Sequence, residues 1–404
     1  MLLKNVKFFV LIYALLTFFQ PIQAEQVHDL DVINYNVAGI IPAINFKEDV
    51  NLKKLRKYNV SDSYRDGKRV PNLVIHNNIL YVLNDELKLI LIDLDRNKKI
   101  KSYSFIKNKN LSCAGISYND GYLYIALSNG QLVVFSLISN SVFWEQTVPT
   151  PINSVPLVYD DKVFVVSHNT IYALNKNTGD ILWKYIASKS GISFRIDYAP
   201  TIFADQLIIG LSSSDVIGLR LAQGNVTYKI NMESISKIIK IKVNPLIGDI
   251  KASVIPVNHN FLVFTNDKMA LVDFNTQKKL WVINNYGSYN TPILYHNTFF
   301  TIDIYGNLMN ANIKDGNINW KKRLVSSLEN KKRVFWFGPR LVNGDLIVNN
   351  TIGDVLIVSA KDGTTKTKRR LFTYKKEKLY TPINITSNTM AVLSNMGNLY
   401  IYGK

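Results

Sequence analysis

Apolar residues in this chain come in short runs, each too brief for a helix and each closed by polar residues. Between Pro156 and Tyr185 the runs are Leu157–Tyr159, Val163–Val166, Ile171–Leu174 and Ile181–Trp183. β-Branched and aromatic residues dominate them, which suits extended strands on a half-buried pleated surface. Asp160-Asp161-Lys162 separates the first two runs, and Asn175-Lys176-Asn177-Thr178-Gly179-Asp180 the last two. Both are turn chemistry, with Gly179 free to take a positive φ. The stretch predicts two hairpins in tandem, a four-stranded antiparallel meander of about 35 residues that cannot bury both faces alone.

The meander recurs. Anchored on the position of Pro156, equivalent starts fall at Asn72, Gly115, Pro200, Val254, Pro292, Pro339 and Pro382. Trp144, Trp183, Trp281 and Trp320 then occupy one place in the repeat, 27 to 29 residues past their anchors. Tyr228 takes that place in the fourth unit and Tyr103 in the first, whereas Trp336 stands elsewhere. Units of this length and strand number predict an all-β fold, an eight-bladed β-propeller. The repeated aromatics Trp144, Trp183, Tyr228, Trp281 and Trp320 are expected to fill the wedge that widens between blades. The eighth unit, "TPINITSNTMAVLSNMGNLYIYGK", reaches Lys404 after only three strands. The segment "NLKKLRKYNV" (51–60) is expected to complete it, closing the ring without a free edge.

Length alone suggests two or three domains, but the repeat uses nearly everything from residue 51 onward. One long insertion, 229–253, separates the fourth and fifth units. At the start of the chain, "MLLKNVK" is basic and "FFVLIYALLTFF" (8–19) is apolar yet shorter than the roughly 20 residues of a spanning helix. "QPIQA" then puts Ala24 at a small-residue cleavage position. The expected organisation is a signal peptide (1–24), an N-terminal extension (25–50) and the propeller (51–404). A cleaved export signal implies work outside the cytoplasm. The one cysteine, Cys113, has no partner for an internal disulfide and reads as a buried small apolar residue.

Formal charge is +18, or +16 once Lys4 and Lys7 leave with the signal. Export argues against nucleic acid as the partner. Heavy use of lysine, asparagine, isoleucine and tyrosine points to a composition bias, with attraction to an acidic membrane surface or saccharide as the competing reading. Catalytic patterns are missing: there is no HExxH, GxSxG, CxxC or phosphate-binding glycine loop. His76 and His296 share one turn position and His259 lies one residue along in its own, which suits solvated loop tips better than metal ligands. The runs 329–333 and 366–370 are basic, and Phe335-Trp336-Phe337 cannot all face one side of a strand.

The stretch "YALNKNTGDILW" resembles the repeat of the quinoprotein-type propellers. One branch of those consists of dehydrogenases that use pyrroloquinoline quinone and calcium; the other is the BamB family. A vicinal cysteine pair and an acidic cluster, expected of the first branch, are missing here. The BamB resemblance covers nearly the whole chain after residue 24. It sharpens at "ISFRIDYAPT" (192–201) and at "LIGDIKASV" (246–254). By resemblance, Ile192, Phe194 and Arg195 on one loop and Asp249 on a neighbouring loop contact a POTRA domain of BamA, the barrel-inserting subunit. The implied role is a non-catalytic periplasmic scaffold without cofactor or metal. It would assist insertion of outer-membrane proteins and contact unfolded substrate chains. Lys251 departs from the family pattern, which has an acid there. So does Glu25, which follows the signal where a lipid-anchoring cysteine is usual. The implied location is the periplasm, held at the outer membrane through the partner. Two other readings are a quinone-dependent periplasmic dehydrogenase and a propeller that binds acidic lipid or saccharide through its basic surface.

Overall fold

The computed structural model describes Leu55–Gly403, apart from 62–63, 65–69, 97, 107–110, 168–169, 188–199, 212–214, 233–251, 253, 266, 327–333, 374–375 and 387–388. These residues form eight four-stranded antiparallel sheets arranged as a propeller. Blades one to seven are consecutive in sequence, spanning 74–103, 113–147, 157–186, 201–231, 255–284, 293–323 and 336–370. Within each, strands A to D run in chain order from the axis to the rim. Blade eight takes strands A to C from 384–403 and its D strand from Leu55–Asn59. That N-terminal strand pairs antiparallel with the last strand in a register set by Arg56↔Ile401 and Lys57↔Tyr400. Both ends of the propeller chain meet in one sheet, and the ring is closed.

The apolar core is divided among the blades. Eight clusters of buried residues each sit between neighbouring blades. Period-2 alternation explains the division. In blade three, Val163 and Val165 face blade two, whereas Phe164 and Val166 face blade four. A strand covered on both faces reads as a continuous apolar run, as "VFVV" does here.

The aromatics after the C–D turns join blade to blade. Trp144 Nε1 donates to Lys176 O in blade three (2.8 Å), and Trp183 Nε1 to Leu221 O in blade four (2.9 Å). Trp281 reaches Ile313 O in blade six (2.9 Å), and Trp320 reaches Ala360 O in blade seven (3.1 Å). Each indole lies across the C–D turn of the next blade. Gly179 and Gly224 belong to those turns, with φ of +80° and +73°. A Cβ there would meet the Trp144 ring at 2.7 Å or the Trp183 ring at 2.5 Å, so glycine serves both the turn and the close approach. Tyr228 reaches the same turn of blade five through Phe274, ring centroids 5.5 Å apart and nearly perpendicular.

Blade one departs from the expected pattern. Lys101, opposite Leu91, holds the position that Trp183 holds opposite Ala173, and Tyr103 lies two residues further along. Blade one has the same one-residue bulge as blade two, and a count of 29 from Asn72, the spacing from Gly115 to Trp144, lands on Lys101: this blade has a lysine where blades two to six have their aromatic. Tyr103 still reaches blade two, where its hydroxyl donates to the Asn140 side chain and its ring packs on Phe135.

Candidate partner-binding face

In every blade the B–C turn and the connection from strand D to the next strand A share one end of the ring; the A–B and C–D turns share the other. Segments 188–199 and 233–251 are both outer-to-inner connections, from blade three to four and from blade four to five. Ile192, Phe194, Arg195, Asp249 and Lys251 fall in these segments and lie outside the described residues. Their attachment points are described. Ala187, Thr201, Met232 and Val254 are all buried. Thr201 Oγ1 donates to Val254 O at 2.8 Å, which ties the return of the first segment to the return of the second.

The second segment also springs from a fixed end. Asp215 is buried at the first position of strand C in blade four; it accepts from Asn231 Nδ2 at 2.8 Å and pairs with Lys229 at 3.0 Å. The carboxylate's hydrogen bond and charge raise the Lys229 pKa. These contacts tie the end of strand D to the start of strand C, so the chain leaves blade four from a defined position.

The rim of these blades is apolar, and Ile186, the last residue of its strand, stands beside the first connection. Ile181, Leu182 and Ile186 of blade three, Val226 of blade four, and Leu280 and Val282 of blade five are exposed, Ile186 by 61%. Leu182 and Leu280 are the unpaired residues of a bulge that recurs in the C–D pairing of seven blades, immediately before the aromatic position. A bulge sharpens the local twist and re-aims the next side chain. Here it turns the tryptophan toward the neighbouring blade and sends its predecessor into solvent. The sequence carries the signal: Leu182-Trp183 and Leu280-Trp281 are adjacent apolar pairs that strict alternation cannot both bury.

Other sequence expectations meet the structure as follows. Cys113 is buried in the cluster between blades one and two. His259 and His296 are exposed in A–B turns, and His76 stacks on Tyr118 with centroids 3.9 Å apart. Among the described residues no group of three or more His, Cys, Asp or Glu side chains is placed to hold a metal. The run 329–333 lies outside the described residues, while 366–370 forms most of the outer strand of blade seven. Trp336 is buried between blades six and seven, and Phe335 is exposed.

The family model described as outer membrane protein assembly factor BamB matches residues 93–322, more than half of the chain. The chain belongs to the BamB family. The matched stretch holds all four tryptophan latches and both connections. BamB of Moranella endobia is 20% identical over 345 residues, covering 79% of this chain and 88% of that one. A Rickettsia conorii protein is 21% identical over 260 residues, 63% of this chain, and the match spans only 61% of that relative's length. The crystal structure of BamB from Moraxella catarrhalis superposes with a TM-score of 0.69 at 16% identity, covering 86% of this chain and 98% of that one, a likeness of fold.

Proposed function

We propose that this BamB-family propeller is a non-catalytic periplasmic scaffold of the machinery that assembles outer-membrane β-barrels, and that it binds a POTRA domain of a BamA-like partner. Connections 188–199 and 233–251 form the contact. Ile192 and Phe194 supply apolar anchors, Arg195 a charged hydrogen-bonding group and Asp249 an acid on the second connection, a composition suited to a small hot spot. The observation that carries this reading is the position of the two connections: they leave adjacent blades at one end of the ring, and their returns are tied by the Thr201–Val254 hydrogen bond. The outer strands of the same blades carry exposed apolar side chains that reach the first connection at Ile186 and suit a protein partner. Its outer strands have free edges, where an extended substrate chain adds by backbone pairing. Lys251 shifts the charge of the second connection, so the partner surface carries a compensating acid.

Calorimetry of residues 25–404 with the POTRA region of the same organism's BamA tests the proposal. The expected result is a Kd of about 1 μM or tighter, weakened about 30-fold or more by Arg195→Glu with thermal stability unchanged. A folded wild-type chain that does not bind overturns the scaffold reading. Binding that ignores Arg195→Glu leaves the partner but overturns the site.

A further inference from the structure

The outer strands of the blades are equivalent by position, so a lysine-rich composition alone would load them evenly. Their charge is uneven. In blades six, seven, eight and one they read INWKKR, TKTKRR, LRKYN and KKIKSY, with twelve Lys or Arg and no acid. In blades two to five they read SVFWEQT, ILWKYI, VTYKIN and KLWVIN, with three lysines and one glutamate. The cations of blades six and seven gather where the outer strand leads into the next connection: Lys321, Lys322 and Arg323, then Lys368, Arg369 and Arg370. Of the blade-seven strand, Lys366 pairs with Asp345 at 2.7 Å and Arg370 with the buried Asp354 at 3.5 Å.

The same end presents apolar tips. Val325, Phe335 and Tyr380 are 59%, 52% and 55% exposed, and Tyr305 is exposed in the B–C turn of blade six. Hydrogen bonds make these tips one surface with the cations. Lys368 Nζ donates to Val325 O at 3.0 Å, joining blade seven to the tip of blade six. Thr351 N donates to Phe335 O (2.9 Å) and Leu379 N to Thr351 O (3.1 Å), which carries the surface on to Tyr380. The Arg323 guanidinium lies beside Gly306, the neighbour of Tyr305, with Nη1 3.5 Å from where a Cβ would stand.

We propose that this edge of blades six and seven docks on the surface of an anionic bilayer. Cations on long stems reach lipid phosphates while aromatic and aliphatic tips enter the headgroup region, the composition of interfacial membrane contacts. Lysine is depleted in protein–protein interfaces, so this edge suits lipid better than a protein. The inference stands apart from the POTRA reading, whose residues lie on connections between blades three and five.

The test is sedimentation of residues 25–404, which hold every described strand, with phosphatidylethanolamine vesicles with and without phosphatidylglycerol. Binding is expected only with phosphatidylglycerol, and should weaken steeply with added salt. Lys321→Glu/Lys368→Glu should weaken it about tenfold or more, and Lys184→Glu/Lys278→Glu on the opposite half less than about twofold. Phe335→Ser should lower the binding that survives at high salt. Thermal melts confirm that each variant folds. Equal binding to both vesicles, or equal loss in the two charge-reversal pairs, overturns the proposal. So does failure to bind lipid together with lost POTRA affinity in Lys321→Glu/Lys368→Glu, which would assign the edge to a protein partner.

Discussion

At four of the eight interfaces one side chain does two jobs at the residue scale: a latch tryptophan buries its ring against the next blade and donates its indole N–H to that blade's turn. Trp183 shows the coupling most directly, because the turn it covers needs Gly224 in a left-handed conformation with no Cβ in the ring's way. Trp183→Phe keeps most of the buried area but leaves Leu221 O without its donor, and should cost about 1–3 kcal/mol. Gly224→Ala should cost a similar amount through clash and a positive φ, and Trp183→Ala about 3–5 kcal/mol. In a double-mutant cycle read by urea unfolding, Gly224→Ala should be markedly milder in the Trp183→Ala background; additive losses would show that the two do not act on each other. Arg340 on the inner strand of blade seven presents the opposite case. It is buried, Nη1 donates to Pro339 O at 3.2 Å, and Nε has no hydrogen bond among the described residues. Burial lowers its pKa from the usual guanidinium value to about 10. A cation whose folded pKa is depressed opposes folding fully below that value, and the penalty fades as pH rises toward the unfolded value. Arg340→Met should therefore be neutral or stabilising by up to about 3 kcal/mol in urea melts near pH 7, with a smaller gain above about pH 10. A large loss would mean that the guanidinium has a partner such as a bound anion or ordered water.

Elements in this fold are specified by turns and bulges more than by strand propensity. In the C–D turn of blade three, Asn175 Oδ1 accepts from the backbone N–H of Asn177 (2.8 Å) and Thr178 (3.1 Å), and Gly179 N–H returns to Asn175 O (2.9 Å). The side chain caps the turn from within, an Asx turn with glycine at the left-handed position. The bulge that follows fixes where the tryptophan points. The N-terminal strand Leu55–Asn59 is the element whose loss the ring can least absorb. Without it the last strand, Asn398–Gly403, becomes an open edge, and the blade eight–blade one cluster loses Val60 and Tyr64, whose hydroxyl donates to Leu83 O at 2.6 Å. A chain starting after Tyr64 should unfold in a broad transition well below that of residues 25–404 and associate through the exposed edge. Calorimetry and size-exclusion chromatography check this; a sharp transition and a monomer would show that seven interfaces suffice.

At the scale of the whole molecule the ring is uneven. Blades three to five carry an exposed apolar rim and the two connections of the proposed POTRA contact, while blades six, seven, eight and one carry the cations. The sites are on different blades, so they should be occupied together. Lys321→Glu/Lys368→Glu should leave POTRA affinity within about twofold, and Arg195→Glu should leave vesicle binding equally unaffected. Calorimetry and sedimentation on the same preparations read both outcomes. A POTRA fragment that displaces the propeller from vesicles would mean that the two surfaces overlap.

Blade number, strand order and the borrowed strand were all legible in the chain, because each blade is a local meander and local meanders announce themselves by period-2 runs and turn residues. The shared place of Trp144, Trp183, Trp281 and Trp320 was legible for the same reason. Their purpose was not, since Lys176 O, Leu221 O, Ile313 O and Ala360 O lie on the next repeat and become neighbours only when the blades stack. Tyr103 stands two residues past the shared place because blade one has Lys101 there, and a search for aromatics passes over a lysine. The proposed POTRA residues came from resemblance in two short segments; nothing in their spacing, over fifty residues apart for Arg195 and Asp249, brings them together. Charge shows the division most plainly. The sequence by itself determined that the protein is strongly basic, and only closure of the ring decided that the outer-strand cations share one arc, because residues 56–57, 98–101, 321–323 and 366–370 become adjacent when the chain's two ends meet in a single sheet.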